Sequence, residues 1–251
     1  MTTTVCHVLR EDSDLLSAID PARRERAIEE CVVGAARVPR GRWSPQQAPM
    51  MEAGIGLLVL EGLLIGHVGI DGRSGSELLG EGDLLRPWQG EGIAPTLAVT
   101  TGWRVLESVR LAVLDEAAAR RFAAYPELTG RLVARALERA RNLAVNMAIV
   151  HQARVNVRLH MLLWHLADRW GRVRRDGVIL PLGLTHTVLS DLVAARRPTV
   201  TSALSELARQ GLVTPVKDGW LLSGEPPGEL LELQQVGVSP PVQDSSPHVE
   251  P

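Results

Sequence analysis

The 251-residue sequence is poor in several residue types that would define a chemistry. It has two cysteines, one tyrosine, one phenylalanine and a single lysine, Lys217. Cys6 and Cys31 are too few and too isolated for a disulfide framework, an iron–sulfur cluster or a thiolate zinc site, and each reads as a small apolar side chain. No apolar run approaches the ~20 residues that span a bilayer. Residues 54–70 are apolar in bulk but are interrupted by Glu61, Gly62, Gly66 and His67, which predicts strands and turns. Residues 1–14 lack the basic-then-apolar pattern of a secretory signal. A soluble, cytoplasmic protein with no membrane contact is expected. The sequence also lacks Gly-x-Ser-x-Gly, a lysine-bearing phosphate loop and any His-x-His. His7, His67 and His151 are scattered, so no metal, no cofactor and no enzyme activity are expected.

What is present is unevenly distributed. The formal net charge is −2, yet residues 152–224 carry nine arginines and Lys217 against five acids. Residues 1–151 carry 17 arginines against 19 acids, and residues 225–251 carry five acids and no lysine or arginine. The basic excess is confined to one segment, as a polyanion-binding module requires.

The chain reads as four regions: 1–116, 117–151, 152–224 and 225–251. In the first, residues 32–115 contain short apolar runs at 55–60, 63–68, 97–99 and 109–114, punctuated by Asp71-Gly72 and Glu81-Gly82-Asp83. That pattern predicts an antiparallel roll or barrel, preceded by a short helix over residues 22–33. Trp43, Trp88 and Trp103 stand out against the low aromatic content and are assigned mainly to core packing.

From Pro126 to about Val150 no proline and, after Gly130, no glycine interrupts the chain. Val133, Leu137, Ala140, Ala144, Met147 and His151 recur at spacings of 4, 3, 4, 3 and 4, which lines one face of a long helix and resembles a coiled-coil seam. Val133, Leu137, Ala140, Ala144 and Met147 are the candidate dimer contacts; packing against the helix's own domain is the other reading. The last region, rich in Pro, Ser, Gln and Glu with a short Leu230, Leu231, Leu233 patch, is expected to be a disordered acidic tail.

Residues 184–222 carry the functional signal. Thr185 can cap a helix that turns Val188, Leu189, Leu192 and Val193 inward. Ala194-Ala195-Arg196 makes a tight turn. Pro198 sits in the first turn of a second helix, whose inward face is Val200, Ala203, Leu204 and Leu207 and which Gly211 ends. Its outward face begins with Arg196, Arg197, Thr199, Thr201, Ser202 and Ser205, hydrogen-bonding side chains at the end of a helix that would enter the major groove. Arginine can pair with guanine, and hydroxyls suit phosphates. Two extended runs then flank Asp218-Gly219, a hairpin signal, with Lys217 at the tip. Thr185, Arg196, Arg197, Thr199, Thr201, Ser202 and Lys217 are the candidate contacts to double-stranded DNA in a winged helix-turn-helix.

This segment, Leu-Thr-His-Thr-Val-Leu-Ser-Asp-Leu-Val-Ala-Ala-Arg-Arg-Pro-Thr-Val-Thr-Ser-Ala-Leu-Ser-Glu-Leu-Ala-Arg-Gln-Gly-Leu-Val, resembles the helix-turn-helix of the Crp/Fnr transcription regulators without a gap. The order of regions matches as well, and Leu78-Leu79-Gly80-Glu81-Gly82-Asp83-Leu84-Leu85 is similar to the Gly-Asp turn of the family's roll. The resemblance implies an α+β chain: an N-terminal antiparallel β-roll like a cyclic-nucleotide-binding jelly roll, a long dimerisation helix and a C-terminal winged helix-turn-helix. It also implies a homodimer on a palindromic operator, in contact with RNA polymerase. Arg197 matches the first of two base-reading arginines in the cyclic-AMP-responsive members. Pro198 and Ser202 stand where those members carry a glutamate and the second arginine, so a different operator is expected.

The ligand side departs further from the cyclic-nucleotide members. Arg86-Pro87-Trp88 replaces their Gly-Glu-Leu, and Val99-Thr100-Thr101 falls where their phosphate-holding arginine would be; Gly90-Glu91 is a displaced fragment. A cyclic nucleotide is therefore not the expected effector, and an unknown small molecule stays open. Two rival readings remain: a cupin-like metal enzyme built on His67 and Glu61, and a DNA-binding scaffold with no effector.

Overall fold

The computed structural model describes residues 3–45, 54–70, 73–87 and 99–228. Trp88, Gly90-Glu91, Asp71-Gly72, the start of the 97–99 run and the acidic tail from residue 229 onward lie outside them. The chain divides into two compact units, residues 1–147 and 148–251.

The first unit opens with strand β1 (Thr3–His7), short helices α1 (Val8–Glu11) and α2 (Ser13–Ser17), a 3-10 turn and helix α3 (Arg24–Glu30). Strands β2 (Val32–Val38), β3 (Gly41–Trp43), β4 (Gly56–Ile70), β5 (Arg73–Leu79), β6 (Leu84–Leu85) and β7 (Val99–Leu114) come next, then helices α4 (Glu116–Phe122) and α5 (Pro126–Val150). The strands form one antiparallel sheet in the order β1-β2-β7-β4-β5, with β3 on β7 and β6 on β4. The expected roll and long helix are both present. The helix expected over residues 22–33 is shorter, because Val32 already pairs with His7.

The sheet is buried on both faces where it meets the helices, and that explains the bulk hydrophobicity of the segment after Gly54. Leu57 and Val59 of β4 join Val109, Leu111 and Val113 of β7 inside the roll. Leu58 and Leu60, pointing the other way, pack with Leu9, Leu15, Ile28, Phe122 and Leu128 of the helical layer. A strand covered on both sides reads as a continuous apolar run rather than an alternation. The break expected at Glu61-Gly62 is a bulge inside one 15-residue strand, not a turn between two. Gly62 has φ +94, and a Cβ there would lie 2.3 Å from the Ser108 carbonyl oxygen, so only glycine fits.

Both cysteines are buried in the helical layer. Burial raises each thiol's pKa, that of Cys31 to about 11, so neither is a reactive thiolate. Trp43 and Trp103 face each other across β3 and β7 with ring centroids 6.0 Å apart, edge to face. This is the packing role assigned to them. The Gly-Asp turn is built by Asp83, which is buried and accepts from the Gly80 amide at 2.8 Å.

Helix α5 buries Leu128 and Leu132 against the helical layer. It is further held by arginines one turn apart. Arg135 grips Asp12 through two bonds of 2.6 and 2.7 Å and also bonds Asp14. Arg131 pairs with Asp14, and Arg139 pairs with Glu77 and donates to the Leu84 carbonyl at 2.9 Å. The seam positions turn away from this contact: Val133, Leu137 and Met147 are 53%, 66% and 62% exposed, and Ala140 and Ala144 are exposed with them.

The second unit contains helix α6 (Val155–Trp170), strands β8 (Arg172–Arg174) and β9 (Gly177–Leu180), helices α7 (His186–Leu192) and α8 (Arg197–Arg209), and strands β10 (Val213–Val216) and β11 (Gly219–Leu222). The strands make an antiparallel sheet in the order β10-β11-β9-β8. Residues 152–223 read as mostly helical before a terminal hairpin, so the β8–β9 hairpin is a correction. It supplies the two strands, β9 and β8, that extend the wing's own pair into a four-stranded sheet. Leu159, Leu162, Leu163, Leu166, Leu180, Leu189, Leu207 and Leu222 close the core, all below a tenth exposed; burying such a side chain contributes about 1.5–3 kcal/mol.

Candidate nucleic-acid interface

Thr185 caps α7, its hydroxyl accepting from the Val188 amide at 3.3 Å. The helix buries Val188, Leu189 and Leu192, followed by Val193, as its spacing predicts. It ends in a left-handed turn: the Ala195 amide reaches the Ser190 carbonyl at 3.0 Å and the Ala194 amide reaches that of Asp191 at 3.4 Å. Ala194 carries the positive φ, +49, that this closure needs. An L-residue meets a steric penalty there that glycine would not.

α8 then starts at Arg197 with Pro198 in its first turn. Val200, Ala203, Leu204 and Leu207 are buried. Gly211, φ +72, ends the helix, with the Leu212 amide bonded to the Leu207 carbonyl and the Gly211 amide to that of Ala208, both at 3.0 Å. α6 supports the pair from behind. Arg158 donates to the Gln152 carbonyl at 2.6 Å and to the Val193 carbonyl, at the end of α7, at 3.2 Å.

Each sequence-derived candidate is at the surface: Thr185, Arg196, Arg197, Thr199, Thr201, Ser202 and Lys217 are all exposed. They differ in what they have free. Among the described residues, Arg196, Arg197 and Lys217 have no ion-pair partner. Ser202 donates to the Pro198 carbonyl at 3.3 Å. Thr201 donates to the Arg197 carbonyl at 3.1 Å and meets the His186 ring nitrogen at 2.9 Å. With its hydroxyl engaged twice, Thr201 has one acceptor site left. His186 is not among the sequence-derived candidates. It also lies against Trp220, 6.4 Å between ring centres, and so joins α7, α8 and β11.

The wing is β10 and β11. Its closing pair is Val216 with Gly219, so the two-residue loop is Lys217-Asp218 rather than Asp218-Gly219. Core burial sets that register: it places Val213 opposite Leu222, both buried, and Trp220 buried as well. Lys217 thus stands in the loop itself.

Among the described residues no three His, Cys, Asp or Glu side chains are grouped as metal ligands. His67 bonds Ser76 at 2.8 Å, and Glu61 faces Arg37 at 3.6 Å. The cupin reading therefore gains no convergent ligand set from those two residues. Nor is any helix among the described residues long and apolar enough to cross a membrane.

An exposed cationic helix end beside a two-stranded wing defines a winged helix-turn-helix. Residues 157–223 match the Crp-like helix-turn-helix domain family. Solved structures are similar over most of the chain. A variant of CooA from Carboxydothermus hydrogenoformans is 16% identical with a TM-score of 0.59, covering 92% of this chain and 94% of that one. A cyclic nucleotide-binding domain containing protein from Listeria monocytogenes EGD-e is 13% identical with a TM-score of 0.63, covering 84% and 96%. The c-di-GMP responsive global regulator CLP of Xanthomonas campestris is 17% identical with a TM-score of 0.55, covering 82% and 100%. No curated protein matches the chain in sequence. Residues 157–223 belong to the Crp-like helix-turn-helix family, and the chain has the fold of the Crp/Fnr regulators.

Proposed function

We propose that this protein is a transcription regulator of the Crp/Fnr type that binds a palindromic operator as a homodimer and acts on RNA polymerase. The observation that carries the reading is the N-terminal end of α8, where Arg196 and Arg197 are exposed and, among the described residues, without ion-pair partners. In the major groove Arg197 reads guanine, while Thr185, Thr199 and Lys217 take backbone phosphates. The homodimer is supported by α5, which exposes Val133, Leu137, Ala140, Ala144 and Met147 while Arg131, Arg135 and Arg139 are engaged within its own unit. Thr100 and Thr101 stand where a phosphate-binding arginine is expected, so the reading names no cyclic nucleotide as effector.

The test begins with selection of bound duplexes from a random pool, then anisotropy titrations on the selected operator and a scrambled duplex. Arg197→Ala is expected to weaken the operator by about 1–3 kcal/mol and the scrambled duplex much less. Lys217→Ala should weaken both alike and lower the salt slope by about one unit. Equal loss on both duplexes for Arg197→Ala would make that arginine a phosphate clamp. No DNA selected at all would sink the reading.

A further inference from the structure

His186 is half-buried at the start of α7 and touches both other elements of the candidate interface. Its Nδ1 lies 2.9 Å from the Thr201 hydroxyl on α8, and its ring lies beside Trp220 of β11. A hydroxyl has one proton to give, and Thr201 donates it to the Arg197 carbonyl at 3.1 Å. The contact with His186 then requires the proton on Nδ1. A neutral imidazole carries only one N–H, so Nε2 is left as a bare acceptor. Nε2 has no partner among the described residues and is not buried, so it is open to water.

This lone pair stands next to the exposed Thr185 and beside the outward face of α8. A phosphate oxygen arriving there is repelled by the neutral ring, whereas a protonated ring offers it a charge-assisted donor. The neighbouring elements supply no anion for that proton. On α7 the one acid is Asp191, five residues on and beyond a helical turn. On α8 Arg197 lies a turn before Thr201 and Ser205 a turn after it, and Glu206 is engaged by Arg209 and Gln210. β11 carries no charged residue, and the wing loop before it holds Lys217 and Asp218, of opposite sign.

We propose that His186 takes a proton from solvent on Nε2 as it meets a DNA backbone phosphate, so that DNA binding is coupled to the uptake of one proton. Thr201 is the positioning residue, fixing which ring nitrogen faces outward. The inference rests on the DNA-binding reading and deepens it.

Anisotropy titrations of the full chain on the selected operator and the scrambled duplex test it between about pH 8 and 5.5, where histidine changes charge. The wild type should bind both duplexes about fivefold to tenfold more tightly at the lower end, with a salt slope steeper by about one unit there. Other histidines titrate in the same range, so the comparison is with His186→Gln, whose amide still donates to Thr201 but takes no charge. It should lose most of both effects, and His186→Arg, a permanent cation, should bind tightly at both ends. Unaltered thermal midpoints would show that the variants are folded. Nitrogen-15 spectra of the free chain near pH 8 should place the ring proton on Nδ1. A pH response as large in His186→Gln as in the wild type overturns the proposal, and so does a neutral ring protonated on Nε2. A response confined to the operator also overturns it, because a backbone contact is blind to sequence. A wild type that binds no duplex at any pH would sink the DNA-binding reading and the proposal with it.

Discussion

Replacing Arg135 by methionine removes the one side chain that binds both Asp12 and Asp14. Arg135 is 14% exposed and Asp12 9%, and the Asp12 carboxylate also accepts from the Leu15 amide at 3.0 Å. With the guanidinium gone, Asp12 stays buried and charged with only a backbone donor. Breaking one side of a buried ion pair costs about 3–5 kcal/mol. The lower end applies here: Asp14 is 36% exposed and keeps Arg131, so it adds little. A loss near 3 kcal/mol in a unit of this size lowers its midpoint by about 6–12 °C. Calorimetry of the full chain would read this on the N-terminal transition. Arg131→Met, with a side chain 47% exposed, should shift it far less. Adding Asp12→Asn to Arg135→Met should recover part of the loss, because the uncompensated charge is removed. A shift below about 3 °C for Arg135→Met would refute the argument, since it would mean that Asp12 is hydrated and the ladder does not hold α5.

The Asp14 carboxyl is held at about 2, below its ordinary 3.8, first by the hydrogen bond from Arg131 and then by Arg135. A carboxyl with a depressed folded pKa contributes stability above its unfolded value and loses it as pH falls through the folded one. Between about pH 4 and 2 the wild type should therefore lose stability relative to Asp14→Asn, and urea midpoints that keep a constant gap across that window would contradict it. Ala194→Gly relieves a left-handed alanine worth about 1–2 kcal/mol and gives back about 0.4–1 in unfolded-chain entropy. The C-terminal transition should rise by about 0.5–1 kcal/mol in denaturant titration, and a fall would mean that the turn is not as described. Ala140→Glu with Ala144→Glu should convert a dimer to monomers in sedimentation, and a double variant that stays dimeric would take α5 out of the interface.

The parts of the fold legible in the sequence are those written in local periodicity. The helix over Pro126–Val150 and the inward faces of α7 and α8 come from spacing alone. The sequence divides β4 in two because Glu61-Gly62 carries a turn's chemistry, and only the pairing with β7 makes it a bulge. The β8–β9 hairpin does have a local signal: Arg175-Asp176-Gly177 repeats the pattern Lys217-Asp218-Gly219, and in both the basic residue and aspartate form the loop while glycine closes the pair. That signal is masked because Arg172-Val173-Arg174 lacks an apolar alternation to mark it as a strand. β1 and the first two helices carry no sequence marker as strong, and β1 exists because β2 offers it an edge.

In the candidate interface the sequence places every side chain on the surface, but it does not say which are already engaged. Thr201 and Ser202 bond carbonyls four residues back, a local option open to any helical hydroxyl. His186 enters only because tertiary packing brings α7 within reach of α8.

The same limit appears on α5. Periodicity shows that a helix has two faces, and the sign of burial comes from partners far along the chain. A surface helix of a globular protein turns its apolar stripe toward the core. Here Arg131, Arg135 and Arg139 are turned toward the unit, where Asp12, Asp14, Glu77 and the Leu84 carbonyl satisfy their guanidinium groups. The apolar stripe is left for another surface. That is why Ala140→Glu with Ala144→Glu tests the partner rather than the fold: both positions are exposed in the single chain, so added carboxylates meet water there, and a folded monomer is the expected product.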